Sequence, residues 1–139
     1  MARGRRIAFD YGDTRIGVAV CDPDGILATP LSFLDARHPK LMGEIEELVH
    51  EYQPITIYVG EPKHLSGEAG IAVEKVQGFA HALADKFGIP IVFVDERMST
   101  VDAARKLREG GKSARDSKSL IDSMAAVVIL ESGLAHENR

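Results

Sequence analysis

The sequence predicts a mixed α/β protein: a three-stranded antiparallel meander continued by parallel strands, with helices covering the sheet. Three observations carry that fold class. The first third of the chain holds three short apolar runs separated by turn residues. From residue 38 the apolar period lengthens to that of a helix. Strand-like and helix-like segments then alternate, which implies right-handed crossovers and parallel pairing. The expected order is βββαβαβαα. A chain of 139 residues is long enough for a real core and reads as one domain, residues 1–139.

The strand-like runs are residues 6–11, 15–21 (RIGVAVC) and 26–33 (ILATPLSF). Gly12-Asp13 turns the first into the second. Asp22-Pro23-Asp24-Gly25 joins the second to the third, because Pro sets φ, Gly supplies a positive φ and Asp caps its own backbone. Leu41, Ile45, Leu48 and Tyr52 then recur at helical spacing with Glu44, Glu46, Glu47 and Glu51 between them, until Pro54. ITIYVG (55–60) reads as a short buried strand. A second helix follows Ser66-Gly67, with Val73, Val76, Ala80, Leu83 and Phe87 on one face and Gly88 as its stop. IPIVFVD (89–95) is the last apolar strand. Ser99 is an N-cap candidate for a third helix, residues 110–118 read as a loop, and a helix over about 116–134 closes the chain.

The net charge of −4 argues against a protein that coats nucleic acid by bulk electrostatics, though not against a nucleic-acid enzyme with a local basic surface. The lone Cys21 cannot form an internal disulfide and, within an apolar strand, reads as a buried thiol in a reducing compartment. The basic start MARGRR is not followed by a signal-peptide core, and no segment approaches the ~20 apolar residues of a membrane span. A cytoplasmic protein without membrane partners is expected. The five histidines show no paired ligand spacing, which argues against zinc.

Carboxylates fall where such sheets place chemistry. Asp10 ends the first strand and Asp95-Glu96 ends the last, and ligands of parallel sheets bind beyond the carboxyl ends of strands. Asp122 lies inside the closing helix, on the stripe of Ala125, Ala126 and Ile129. An inward carboxylate without a partner costs several kcal/mol and must meet a cation, a donor or a metal ion. Converging carboxylates suit Mg²⁺ or Mn²⁺, which take oxygen ligands, and two ions roughly 4 Å apart would activate a water and stabilise a leaving oxygen. The plainer alternatives are a turn role for Asp10, capping or an Arg97 bridge for Asp95-Glu96, and a Lys118 bridge for Asp122.

Taken together, Asp10-x-Gly12-x-x-Arg15-Ile16-Gly17-Val18-Ala19, Gly60-x-Pro62, Asp95-Glu96-Arg97-Met98-Ser99-Thr100 and Asp122-x-x-Ala125-Ala126 resemble the YqgF/RuvX family. The match spans about Ile7 to Leu134. The resemblance implies an RNase H-like fold and either Holliday-junction resolution or nuclease maturation of the 5′ end of pre-16S rRNA. It places the family's acidic positions on Asp10, Glu96 and Asp122, as catalytic residues and ligands of Mg²⁺ or Mn²⁺. Glu96 ranks above Asp95, because neighbouring strand residues alternate faces. Glu61 stands where the family carries an apolar residue, Cys21 where it carries serine and Met98 where it carries leucine.

Arg15 is the nearest cation to Asp10 in sequence, for a phosphate or for orienting the carboxylate. Residues 105–118, RKLREGGKSARDSK, hold six basic residues against Glu109 and Asp116. This local excess makes Lys112, Arg115 and Lys118, with Arg97, the candidates for a phosphate-backbone track on an rRNA precursor or branched DNA. A solvated helix end is the alternative. No aromatic residue interleaves the basic segment, so base stacking there is not expected. Against the nuclease stand a phosphotransferase of the actin-like kind, which needs two lobes, and a non-catalytic nucleic-acid-binding factor. The chain would act as a monomer or homodimer; the absence of heptads or a further apolar helix face favours RNA over the symmetric cutting of a junction.

Overall fold

The computed structural model describes residues 1–62, 67–95 and 114–138, the side chains at 67–69 and 114–122 excepted. In chain order its elements are β1 (Arg6–Tyr11), β2 (Arg15–Cys21), β3 (Ala28–Asp35), α1 (Leu41–Tyr52), β4 (Thr56–Glu61), α2 (Gly67–Phe87), β5 (Ile91–Asp95) and α3 (Ala114–Glu137). The strands form one five-stranded sheet in the order β3-β2-β1-β4-β5. β1 pairs antiparallel with β2, and β2 with β3, whereas β1–β4 and β4–β5 are parallel. The meander continued by parallel strands is thus the architecture found.

Alternation along the central strands sorts their residues between two cores. Ile7 and Phe9 of β1, Ile16, Val18 and Val20 of β2, and Ile57 and Val59 of β4 join Ile45 of α1 and Val76, Phe79, Ala80 and Leu83 of α2. On the other face Ala8, Ala19, Cys21 and Tyr58 meet Ala126, Val127, Ile129, Leu130 and Leu134 of α3. The strand residues beneath α3 are mostly small, which lets that helix approach the sheet closely. Gly133 shows how closely: a Cβ there would lie 2.7 Å from the Tyr58 ring.

Several boundaries move. β3 begins at Ala28 rather than 26, because one Asp22 carboxylate oxygen accepts the N–H groups of both Ile26 (2.7 Å) and Leu27 (2.8 Å). Both residues are held in a wide turn, where Ile26 is 83% exposed. α1 starts at Leu41 and ends on Gln53, whose left-handed backbone (φ 49°) donates its N–H to Val49 just before Pro54. Gly88 (φ 65°) stops α2 as expected. β5 starts at Ile91 and lies at the sheet's edge, leaving Val92 and Phe93 each 40% exposed. α3 starts at Ala114, so the latter part of the segment read as loop is helical. The helix expected after Ser99 lies outside the described residues.

Candidate active site

Because β1, β4 and β5 run parallel, their carboxyl ends share one edge of the sheet. Asp10, Glu61 and Asp95 all reach it. The register then divides them. Asp10 lies two residues beyond Ala8 of the α3-side core and therefore shares the α3 face. It pairs across β2 with Gly17. Glu61 lies two beyond Val59 and so falls on the α1/α2 face, where its Cα partner is Asp95. The sheet therefore stands between the Glu61–Asp95 pair and Asp10. Asp95 thus falls on the face opposite Asp10. Glu96 and Arg97 lie outside the described residues.

α3 runs antiparallel to β1, and three contacts fix it. Near its middle the buried Ser123 hydroxyl accepts the Val18 N–H (3.4 Å) and donates to the Leu31 carbonyl oxygen (2.5 Å). Further along, Gly133 lies against Tyr58. At its end Glu137 pairs with the buried Arg6 guanidinium (3.1 Å), whose other nitrogens donate to the Gly4 and Ala2 carbonyls. Val18 pairs with Phe9, the neighbour of Asp10. The Ser123 contact therefore fixes the preceding backbone position, 122, toward Asp10's end of the sheet, one turn ahead of buried Ala125 and Ala126. Arg115 and Lys118 lie in the first turns of α3; their side chains, that of Asp122 and all of Lys112 lie outside the description.

The β1–β2 turn borders the same edge. A Cβ on Gly12 would sit 2.7 Å from the Arg15 carbonyl oxygen, so the turn's own packing requires glycine there. Lys75 of α2 pairs with Asp13 at 3.0 Å and ties this turn to the helix. Tyr11 stacks on Phe79 with ring centroids 4.8 Å apart. Arg15 is exposed, and its guanidinium carbon lies 5.1 Å from the Phe33 ring centroid. Sequence reasoning missed Ser123 and Phe33. A lone hydroxyl within the apolar stripe of α3 was the available signal for Ser123. Phe33 had none, because its placement depends on an irregularity in strand pairing.

Two groups with shifted titration, Cys21 and Tyr58, lie away from this edge. Burial, foremost, raises the Cys21 thiol above its ordinary value, although the Arg6 N–H donates to its sulfur at 3.2 Å. Burial first, and the neighbouring Glu137 second, hold the Tyr58 phenol far above its usual range. Both groups are neutral structural members of the far end of the α3 interface.

The described donor at the site is a carboxylate on the α3 face, and the further candidates, Glu96 and Asp122, are carboxylates too. An all-oxygen set of that kind fits Mg²⁺ or Mn²⁺ better than zinc or copper. Among the described residues no three His, Cys, Asp or Glu side chains stand together as a ligand group. Among them, too, no helix is long and apolar enough to cross a membrane.

Comparison with known proteins agrees with this architecture. A protein of Streptomyces avermitilis named "Putative pre-16S rRNA nuclease" is 47% identical over 139 residues, covering 99% of this chain and 89% of that protein. One of the same name from Streptomyces coelicolor is 48% identical, covering 99% of this chain and 83% of its own. Among solved structures, Thermus thermophilus RuvC in complex with a Holliday junction substrate aligns with a TM-score of 0.60 at 19% identity over 96% of both chains. Fowlpox virus resolvase with Holliday junction DNA aligns at 0.57 and 10% identity, over 97% of this chain and 99% of that one. At such identities these structures speak to the fold, which is RNase H-like. A family model described as RuvX, Holliday junction resolvase, matches residues 4–136, and the chain belongs to the RuvX family.

Proposed function

We propose that this protein is a divalent-metal-dependent endonuclease that hydrolyses phosphodiester bonds in structured RNA and processes the 5′ end of pre-16S rRNA in the cytoplasm, as one domain spanning residues 1–139. The observation that carries this reading is the placement of Asp10 at the carboxyl end of the central strand, on the face along which α3 directs position 122 to the same end. Asp10, Glu96 and Asp122 would hold Mg²⁺ or Mn²⁺, two ions in the full site. The bound metal would supply an activated water and neutralise charge on the leaving oxygen. Arg15, Arg97, Lys112, Arg115 and Lys118 would hold substrate phosphates, in an otherwise acidic protein.

A second reading, resolution of a DNA four-way junction, is favoured by the description of the matching family model. It requires two active sites and hence a homodimer. The test is cleavage of end-labelled pre-16S leader RNA and of a four-way DNA junction, each with Mg²⁺ or Mn²⁺. RNA cleavage is expected, with Asp10→Asn lowering the rate on the order of 100-fold or more while binding persists. Paired cuts in the junction alone would move the activity to recombination. Binding without cleavage of either substrate would make the protein a non-catalytic factor.

A further inference from the structure

We propose that Arg15 and Phe33 form a stacking platform for an unpaired nucleobase beside Asp10, so that the enzyme selects a single-stranded nucleotide next to the cleaved bond. The inference rests on the nuclease reading and adds a specificity element to it. Val18 pairs with Leu31 and Ile16 with Leu34, so Ser32 and Phe33 together oppose the single residue Gly17. One extra residue in a strand is a β-bulge, a device that re-aims side chains and is frequent beside active sites.

Here the consequence can be read from the cores. Leu31 and Leu34 both pack toward α1 and α2, which puts Ser32 and Phe33 on the α3 face. In regular pairing Phe33 would share the face of Leu31 and lie across the sheet from Asp10. The bulge instead sets Phe33 in line with Gly17 and Asp10, since Gly17 is the β2 partner of Asp10. Gly17 contributes no side chain between them.

Arg15 completes the platform. It lies two residues before Gly17 on the same face, exposed, with its guanidinium 5.1 Å from the centroid of the half-buried Phe33 ring. A guanidinium within about 6 Å of an aromatic centroid is attracted to the ring by its quadrupole. The exposed guanidinium, planar and cationic, then offers a face on which a base can stack. Stacking uses that face and leaves the in-plane N–H groups to whatever they already engage. Unpaired bases are read on aromatic and Arg planes in this way, whereas the faces of paired bases are hidden within the duplex.

The test uses full-length protein carrying Asp10→Asn, so that binding is read without turnover. Its probe is an RNA hairpin with a 5′ single-stranded flank, with 2-aminopurine placed at each flank position in turn. Binding should change the emission at one flank position. Phe33→Leu keeps apolar bulk and loses the ring face; Kd should rise ~10-fold or more on this RNA and the emission change should vanish. Phe33→Tyr should retain both. Arg15→Lys should lose the emission change while the salt dependence of binding stays the same, because the charge remains. A blunt, fully paired hairpin should bind the Asp10→Asn protein and both Phe33 variants alike. An emission change that survives Phe33→Leu, or a Kd that rises equally on the paired hairpin, would overturn the platform and leave the nuclease reading standing. Failure of the Asp10→Asn protein itself to bind either RNA would overturn both.

Discussion

The Ser123 hydroxyl takes the N–H of Val18 and gives its own proton to the Leu31 carbonyl, two partners in the β2–β3 ladder at the edge of the bulge. A buried hydroxyl so placed satisfies backbone groups that water cannot reach. Ser123→Ala is therefore expected to destabilise the fold by about 1–3 kcal/mol in urea denaturation. Because the same contact sets backbone position 122, cleavage should fall in parallel. At this scale the sequence was informative wherever a residue type is conspicuous in its setting. A carboxylate near the end of an apolar strand made Asp10 a candidate, and a carboxylate within a helical stripe made Asp122 one. Phe33 was not legible, since its face is set by a register shift that no local pattern announces.

At the scale of elements, α3 is held at two points: Ser123 near its middle, toward Asp10, and Glu137 with Arg6 at its end, by the opposite end of β1. Between them Gly133 lies on Tyr58 with no space for a methyl group. Replacing a helical glycine with alanine usually stabilises by about 1 kcal/mol. Here the sign reverses. Gly133→Ala should cost about 1–3 kcal/mol by overpacking, with a lower Tm by calorimetry, and cleavage should weaken as the helix lifts from the sheet. The elements themselves were mostly readable from period and punctuation, as Gly88 after α2 and Pro54 after α1 show. The start of β3 was not, because Ile26 and Leu27 are apolar and look like strand. The Asp22 carboxylate binds their N–H groups and keeps them in the turn.

For the whole molecule, the titration shifts predict a stability plateau with two limbs. Cys21 and Tyr58 keep their protons in the folded state at pH values where the unfolded chain releases them. The native state then binds more protons than the unfolded one, so stability falls as pH rises. Their contribution is complete below about pH 9 and is lost progressively above it. Asp22 works in the opposite direction. Its carboxyl is held below the ordinary value by the N–H groups of Leu27 and Ile26, so its contribution is present above about pH 4 and is lost as pH falls through its folded value. Denaturation midpoints measured across pH should show both limbs, and Tyr58→Phe should flatten the alkaline one. Native Cys21 should resist thiol reagents near pH 8 and react once the chain unfolds, since it is 2% exposed.

By itself the sequence determined the fold class, the order of the described elements and the residue types capable of chemistry. Periodicity, glycine and proline stops, and charges in apolar settings are local properties of a chain. Tertiary structure decided which of those residues share a face. Asp10, Glu61 and Asp95 all lie at or next to the carboxyl ends of parallel strands and look equivalent in one dimension. Strand register sends Asp10 toward α3 and the other two toward α2. A bulge of one residue brings Phe33 to the side of Asp10. The reason is geometric: strand side chains alternate with a period of two, so one step in register exchanges the faces of a sheet, and that step is set by pairing between distant segments.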